Sequence, residues 1–183
     1  SNLQKGVYIR RGIIMNSLTL LAIAVVVVVF WIYSIYASVI RKRNKAQEAF
    51  SSIDVQLKKR YDLIPNILTI AQKYMEHERG IMEEVTKLRT QVMGLSSNFE
   101  NIDRKIALDG EIAKKMGQIM VAVENYPQLK ADQTMITAMQ TYNEVEEHIA
   151  AARRFYNSAA TELKNAVEIF PSSLFARMLN IKT

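Results

Sequence analysis

The chain offers few side chains whose type and spacing could do chemistry. Its only histidines are His77 and His148, and it contains no cysteine. A di-iron helical bundle requires a glutamate three residues before each histidine, but Tyr74 and Val145 hold those positions. Thiolate metal sites, disulfide frameworks and cysteine nucleophiles are excluded. The sequence therefore predicts neither a metal centre nor a bound cofactor.

Paired carboxylates occur at Glu83-Glu84 and at Glu146-Glu147. Both pairs lie in charged helical stretches, where adjacent acidic residues more often form a solvated face than an acid–base pair. The His-Glu-x-x-His, Gly-x-Ser-x-Gly, Walker and dinucleotide-binding motifs are absent. We therefore predict that the protein is not an enzyme, with a hydrolase or metalloenzyme as the least favoured alternative.

Two polar segments on predicted helices hold the remaining candidates. If these helices oppose each other, Arg153 or Arg154 is expected to pair with Asp54 or Asp62. An ion pair that fixes the register of the helices is favoured over a ligand site. The complete set of candidates for a structural ion pair or an interaction site is Asp54, Arg60, Asp62, Arg153, Arg154 and Asn157.

An apolar segment near the N-terminus gives a stronger signal. The twenty residues 18–37 include only two polar side chains, Thr19 and Ser34. A helix of that length measures about 30 Å, the thickness of a bilayer's hydrocarbon core. The run is also too long for the apolar region of a signal peptide. We therefore predict a single-pass transmembrane helix over residues 15–40, after a short segment of residues 1–14.

The residues that flank this segment fit a membrane surface. Residues 1–45 contain seven Lys or Arg and no acid, which leaves 17 basic and 18 acidic side chains in the rest of the chain. Positive charge confined to the ends of a membrane helix indicates anionic lipid head groups as partners. It argues against nucleic acid, which requires a basic groove or patch. The predicted lipid contacts are Trp31, Tyr33, Tyr36, Arg41, Lys42, Arg43 and Lys45.

The same cations predict an orientation. The C-terminal flank has four cations in five residues, whereas the N-terminal flank has three cations spread over eleven. Because Lys and Arg close to a membrane helix stay in the cytoplasm, we expect the domain after the anchor on the cytoplasmic side of a bacterial inner membrane. The inverted arrangement is the alternative.

After the anchor, apolar residues recur every three or four positions, as on the buried faces of helices. Pro65 is expected to end the first helix or to kink it sharply, and to start the second. Residues 94–98 form a loop in which Gly94 caps the preceding helix, and Pro127 ends the third helix. The fourth and longest helix covers residues 135–170, with Phe170 on its apolar face.

No segment shows the alternation of a strand, so the fold class is all-α. We predict an N-terminal transmembrane helix that leads into an antiparallel bundle of three to four helices over residues 41–171, with coiled-coil-like seams. Residues 172–183 form a short amphipathic tail that Ser172 or Ser173 caps. This tail either docks on the bundle or lies on the bilayer.

Three segments resemble the bacterial LemA family. They are SIDVQLKKRYDLIPNIL (residues 52–68), ENYPQLKA (residues 124–131) and IAAARRFYNSAATELKNAVEIFPSSL (residues 149–174). These motifs are long and occur in the family's order, and the similarity extends from about Arg41 to Leu179. The resemblance implies an N-terminal membrane helix followed by a helical bundle. It implies no defined reaction and no catalytic residues.

The leading functional hypothesis is a non-enzymatic scaffold that is anchored in the membrane. Its partners would be membrane lipids, further copies of the chain and other membrane proteins. Ser34 and Ser38 form a small-xxx-small pair of the kind that lets membrane helices approach closely. The alternative hypothesis is a homo-oligomer that binds or remodels lipid.

Overall fold

The computed structural model describes residues 2–98 and 101–181, with side chains described from residue 17 onward. The described residues form helices and no strand. The predicted all-α fold with an apolar N-terminal helix is therefore confirmed. The helices are α1 (Asn2–Ala71), α2 (Arg79–Met93), α3 (Ile102–Val123), α4 (Pro127–Lys130), α5 (Gln133–Glu168) and α6 (Ser172–Met178).

The chain divides into two compact units. Unit 1 comprises Ser1–Asn44 and Thr161–Thr183, and unit 2 comprises Lys45–Ala160. The first part of α1, the end of α5 and all of α6 belong to unit 1. The remainder of α1 and α5 joins α2, α3 and α4 in unit 2, which contains the helical bundle.

The apolar residues that recur at helical spacing form the core of unit 2. On α1 the buried positions include Ile53, Leu57, Tyr61 and Ile64, each three or four residues after the one before. The same spacing places one face of each other long helix against this core. The corresponding buried residues on α3 and α5 include Ile112, Met116, Ile119, Met135, Tyr142, Val145, Ile149, Ala152 and Tyr156.

Contacts between helices give their directions within unit 2. Asp54 and Arg60 of α1 contact Lys105 and Asp109 of α3, respectively. Since both pairs advance together along the chain, α1 and α3 run in the same direction. α2 is antiparallel to α3, because only residues 94–101 separate the two helices and α2 packs along α3.

Pro65 lies inside α1 and α2 begins at Arg79, so the predictions that Pro65 ends the first helix and starts the second are wrong. The alternative, a sharp kink at Pro65, stays a prediction. A proline has no N–H and cannot donate to the carbonyl four residues earlier, here that of Tyr61. The Nε of Arg89 on α2 donates a hydrogen bond of 2.6 Å to this carbonyl oxygen. A neighbouring helix thus supplies the donor that proline removes, and α1 continues to Ala71.

α5 has a defined polar start. The Oδ1 of Asp132 accepts hydrogen bonds from the backbone N–H groups of Thr134 at 2.8 Å and Met135 at 3.0 Å, which is the geometry of a helix N-cap. The helix ends at Glu168. Phe170 therefore lies beyond the helix and is exposed, so its predicted place on the apolar face is wrong.

Two expected caps have different outcomes. Gly94 caps α2 as predicted, with right-handed backbone angles. α6 begins at Ser172 with Pro171 at the cap position, and no side chain caps it. The Ser172 hydroxyl donates instead to the carbonyl of Ile169 at 2.9 Å. The prediction that Ser172 or Ser173 caps the tail helix is therefore wrong.

Unit 1 contains the apolar part of α1. All residues 17–33 are exposed, and among the described residues one helix is long and apolar enough to cross a membrane. The exposure excludes a core helix, whose apolar side chains would be covered. Further along α1, Val39 is fully buried, and Leu163, Ala166 and Ala176 are buried in the C-terminal part of the unit.

The link between Pro65 and Arg89 predicts coupled stability. Replacing Arg89 with methionine leaves the Tyr61 carbonyl without a donor, which should cost about 1–3 kcal/mol. In a Pro65→Ala background the new N–H of residue 65 can donate to Tyr61, so the same Arg89→Met change should cost less. Urea unfolding of the four proteins, followed by circular dichroism in mild detergent, measures the coupling.

Arg104→Met is the matched control, because Arg104 is exposed on α3. Its cost should be small and should not depend on residue 65. An equal loss from Arg89→Met in both backgrounds would contradict the proposed compensation.

Candidate functional site

Among the described residues of unit 2, three charged side chains are buried. The exposed fraction is 1% for Arg60 and 0% for Asp109, and Lys105 is also buried. Lys105 and Asp109 lie between the buried residues Ile102 and Ile112 on α3, at the three- and four-residue spacing of the core. These three residues therefore occupy positions where the helical pattern would place apolar side chains.

Asp109 joins three helices through one carboxylate oxygen. Its Oδ2 accepts hydrogen bonds from Arg60 Nη1 of α1 at 2.6 Å and from Arg153 Nη2 of α5 at 2.8 Å. The Nη2 of Arg60 also lies 2.7 Å from Glu146 Oε2. Two cations and two anions thus meet, and we call Arg60, Asp109, Glu146 and Arg153 the ion-pair network.

An aromatic ring completes the surroundings of Arg60. The guanidinium carbon lies 5.3 Å from the centre of the Tyr142 ring, within the range of a cation–π interaction. Tyr142 is itself buried on α5. Arg60 is therefore held by a carboxylate on α3 and by a carboxylate and a ring on α5.

Burial and charge act in opposite directions on this network. Burial raises the pKa of Asp109, while the guanidinium groups of Arg60 and Arg153 oppose that rise. For Arg60, burial favours loss of the proton, but Asp109, Tyr142 and Glu146 outweigh it and raise the pKa. Arg60 therefore remains a cation throughout the physiological range of pH.

Two buried tyrosines border the network. Burial raises the pKa of Tyr61 and of Tyr142 far above the ordinary value, and the Asp109 carboxylate adds to both rises. The Tyr142 hydroxyl has no hydrogen-bond partner among the described residues, whereas the Tyr61 hydroxyl lies close enough to the Asp109 carboxylate for a side-chain hydrogen bond to add to the rise of its pKa. Both tyrosines are therefore neutral at physiological pH, and neither is poised to act as a base.

A second ion pair holds the loop between α2 and α3. Lys105 Nζ donates to Asp54 Oδ1 at 2.7 Å and to Ser97 Oγ at 2.9 Å. These residues, with Lys58 and Tyr61, line a cavity of about 280 Å³. Because the charge of Asp54 balances that of Lys105, this ion pair does not give the cavity a net positive charge that would attract an anion.

The predicted ion-pair residues have mixed placements. Arg60 and Arg153 meet in the network, but they share Asp109. Asp54 pairs with Lys105, so the predicted pairing of Arg153 or Arg154 with Asp54 or Asp62 is wrong. The remaining predicted residues lie on the surface: Asp62, Arg154 and Asn157 are exposed.

Sequence reasoning missed Lys105, Asp109 and Glu146. For Lys105 and Asp109 a signal was present, because both interrupt the apolar face of α3 at core positions. A charge at such a position predicts a buried partner, since an unpaired buried charge is costly. Glu146 gave no comparable signal. It is half-exposed in its side chain, and its role follows only from the approach of Arg60.

The predicted lipid-contact residues lie in or next to the apolar part of α1. Trp31, Tyr33 and Tyr36 are exposed on α1. Of the basic residues that follow, Arg41 and Arg43 are exposed and Lys42 and Lys45 are half-buried. The exposed positions are accessible to head groups, and their contact with lipid stays a prediction.

The two histidines are both exposed, His77 before α2 and His148 on α5. Within the part of the chain that the structure describes, no three His, Asp or Glu side chains lie close enough to hold a metal ion.

The fold and the site define an all-helical, membrane-associated protein whose bundle closes around buried ion pairs. Comparison of the sequence with known families is consistent with this class, because the chain matches the LemA family over residues 49–183. The chain therefore belongs to the LemA family.

The individual proteins that resemble this chain share less than a quarter of their residues with it. Magnetosome protein MamQ 2 of Paramagnetospirillum magneticum is 22% identical over 89% of this chain and 69% of the relative. Magnetosome protein MamQ of Magnetospirillum gryphiswaldense is 21% identical with the same coverage. Protein LemA of Metamycoplasma hominis is 24% identical over 77% of this chain and 63% of the relative.

The ion-pair network predicts that replacing Asp109 strongly lowers the stability of the folded protein. The Asp109→Asn variant removes the negative charge between Arg60 and Arg153, and loss of one partner of a buried ion pair costs about 3–5 kcal/mol. Asp62→Asn makes the same chemical change at an exposed position and should cost less than about 0.5 kcal/mol. Urea unfolding in mild detergent compares the two variants, and equal stabilities would contradict a structural role for the network.

The raised pKa values of Tyr61 and Tyr142 predict that the folded protein loses stability at alkaline pH. Their folded pKa values are raised, so the folded state retains protons that the unfolded state releases above about pH 10. Their stabilising contribution is therefore complete below that pH and is lost as the pH rises. The Tyr61→Phe/Tyr142→Phe variant should lose less stability than the natural protein between about pH 9 and 11. Tyr74→Phe, at a half-buried position, is the control, and identical pH profiles would refute the assignment.

Proposed function

We propose that this protein is a non-enzymatic scaffold that is anchored in a bacterial inner membrane by the apolar part of α1. Its helical bundle would contact other membrane proteins and other copies of the chain. The observation that supports this proposal best is the exposure of residues 17–33. Such a surface would be unfavourable in water and is favourable in lipid.

The burial of the centre of the ion-pair network supports a structural role over a catalytic one. Its four charges balance, and the central Asp109 has no exposed surface. An acid, base or nucleophile must reach its substrate, and this carboxylate is enclosed by three helices. The names of the relatives, magnetosome protein and protein LemA, specify no reaction, which is compatible with this proposal.

Self-assembly is the finer part of the proposal. The bundle between Lys45 and Ala160 contains nearly equal numbers of acidic and basic residues, so neighbouring copies would repel each other little. The small-xxx-small pair contributes less than the sequence indicates, because Ser34 and Ser38 are half-buried within unit 1. We therefore assign self-association mainly to the bundle.

A lipid-binding or membrane-remodelling homo-oligomer is the second candidate. Arg41 and Arg43, exposed on α1 beside the apolar segment, favour it, because exposed cations at a membrane surface attract anionic head groups. Under this alternative the purified protein deforms liposomes, whereas a scaffold that acts through protein contacts leaves their shape unchanged. Electron microscopy of liposomes with and without anionic lipid distinguishes the two candidates.

Oligomeric state tests the proposal directly. Mass photometry of the full chain in mild detergent should give assemblies larger than a monomer. A shortened protein that begins at Ala46, close to the start of unit 2, should assemble as well, because the proposal assigns the contact to the bundle. Assembly of the full chain alone would move the contact to the anchor. A monomer in both cases would contradict the self-assembling scaffold.

A further inference from the structure

The C-terminal segment of residues 169–178 presents apolar side chains that the protein does not cover. Phe170 is 72% exposed, Leu174 52% and Met178 81%. Single exposed apolar residues are common, but a group of large ones marks a site of interaction. The position and charge of the segment indicate what this surface contacts.

α6 has an inner and an outer face. Ala176 is fully buried, whereas Leu174, Arg177 and Met178 are exposed. Because a helix turns by about 100° per residue, Leu174 and Met178 lie on one side and Ala176 lies on the opposite side. The small residue Ala176 therefore packs α6 against the rest of unit 1, and the large apolar side chains of α6 point outward.

Unit 1 places α6 with the turns of α1 that end the apolar segment. Residues 17–33 are exposed, but Ser34 and Ser38 are half-buried and Val39 is fully buried. An isolated helix cannot bury its own side chains in this way. The other described helical residues of unit 1 are the end of α5 and α6. The end of α5 and α6, which three residues join, are therefore the described elements that can cover these turns, where a spanning helix leaves the hydrocarbon core.

The charge of the segment favours a lipid surface. Residues 169–183 contain Arg177 and Lys182 and no acidic residue; Lys182 lies outside the described residues. Arg41 and Arg43 of the same unit are also exposed. Apolar side chains bordered by cations are typical of helices that lie in the interface of anionic membranes.

We propose that residues 169–178 form a second membrane contact. Phe170, Leu174 and Met178 enter the boundary between head groups and acyl chains, and Arg177 meets anionic lipid phosphates. The anchor would then hold the protein at the membrane at one site and the C-terminal segment at another. This inference rests on the membrane anchorage in the proposed function and is independent of self-assembly.

Fluorescent labels on single cysteines test the contact in the full chain. Because the chain has no cysteine, Leu174→Cys and Met178→Cys can each take one environment-sensitive label. Leu21→Cys reports the anchor, and Val121→Cys, 73% exposed on α3 in unit 2, is the matched apolar control. Each protein is placed in phosphatidylcholine–phosphatidylglycerol nanodiscs with and without nitroxide-labelled lipid.

We expect lipid nitroxide to quench the labels at positions 174 and 178 more than the label at 121, with a blue shift at both. Quenching at position 21 together with quenching at 174 and 178 no greater than at 121 would overturn the second contact alone. A blue shift at 174 and 178 without lipid quenching would show that another copy covers the segment and would also overturn it. Absence of quenching at position 21 would overturn both the anchorage and the contact built on it.

Discussion

The carboxylate of Asp109 is the constraint on which the bundle depends. It has no exposed surface, and one of its oxygens accepts hydrogen bonds from arginines on α1 and α5. Apolar packing alone tolerates sliding of one helix against another, because similar side chains recur along each face. A buried charge with two defined donors does not, since a shift of one turn would leave it unpaired. We therefore expect the network to select one register among several that the apolar faces would allow.

The charges of the protein are separated by role. In the bundle, cations are paired with anions inside the core, as in Arg60 with Asp109 and Lys105 with Asp54. Beside the apolar part of α1, Arg41 and Arg43 point outward. Paired charges hold the helices to one another, whereas outward cations are accessible from outside the protein, as the predicted contact with lipid head groups requires. This separation shows where the net charge of +6 arises, because the acidic and basic residues after residue 45 nearly balance.

The periodic pattern of the sequence was sufficient to predict helical faces, because burial of residues such as Ile53, Leu57 and Ile149 follows from spacing along one chain. It did not predict the break between the end of α1 at Ala71 and the start of α2 at Arg79. It was insufficient at Pro65, where the outcome depends on Arg89 from another helix. The predicted partners of the charged residues were wrong for the same reason. Asp54, Arg60 and Arg153 were recognised as polar groups near core faces, but their partners depend on which helices are neighbours. Spacing along the chain predicted the helical faces, whereas the behaviour of Pro65 and the pairing of the buried charges depended on contacts between helices.

The bond between Arg89 and the Tyr61 carbonyl also bears on the order of folding. The hydrogen-bond ladder of α1 is incomplete by itself, and its missing donor lies 28 residues later in the chain. A helix with an unfilled carbonyl at a proline bends or frays locally. The turns around Pro65 would therefore become persistent only after α2 has returned along α1. We therefore expect the part of α1 around Pro65 to form together with α2, as a helical hairpin, and not as an isolated helix.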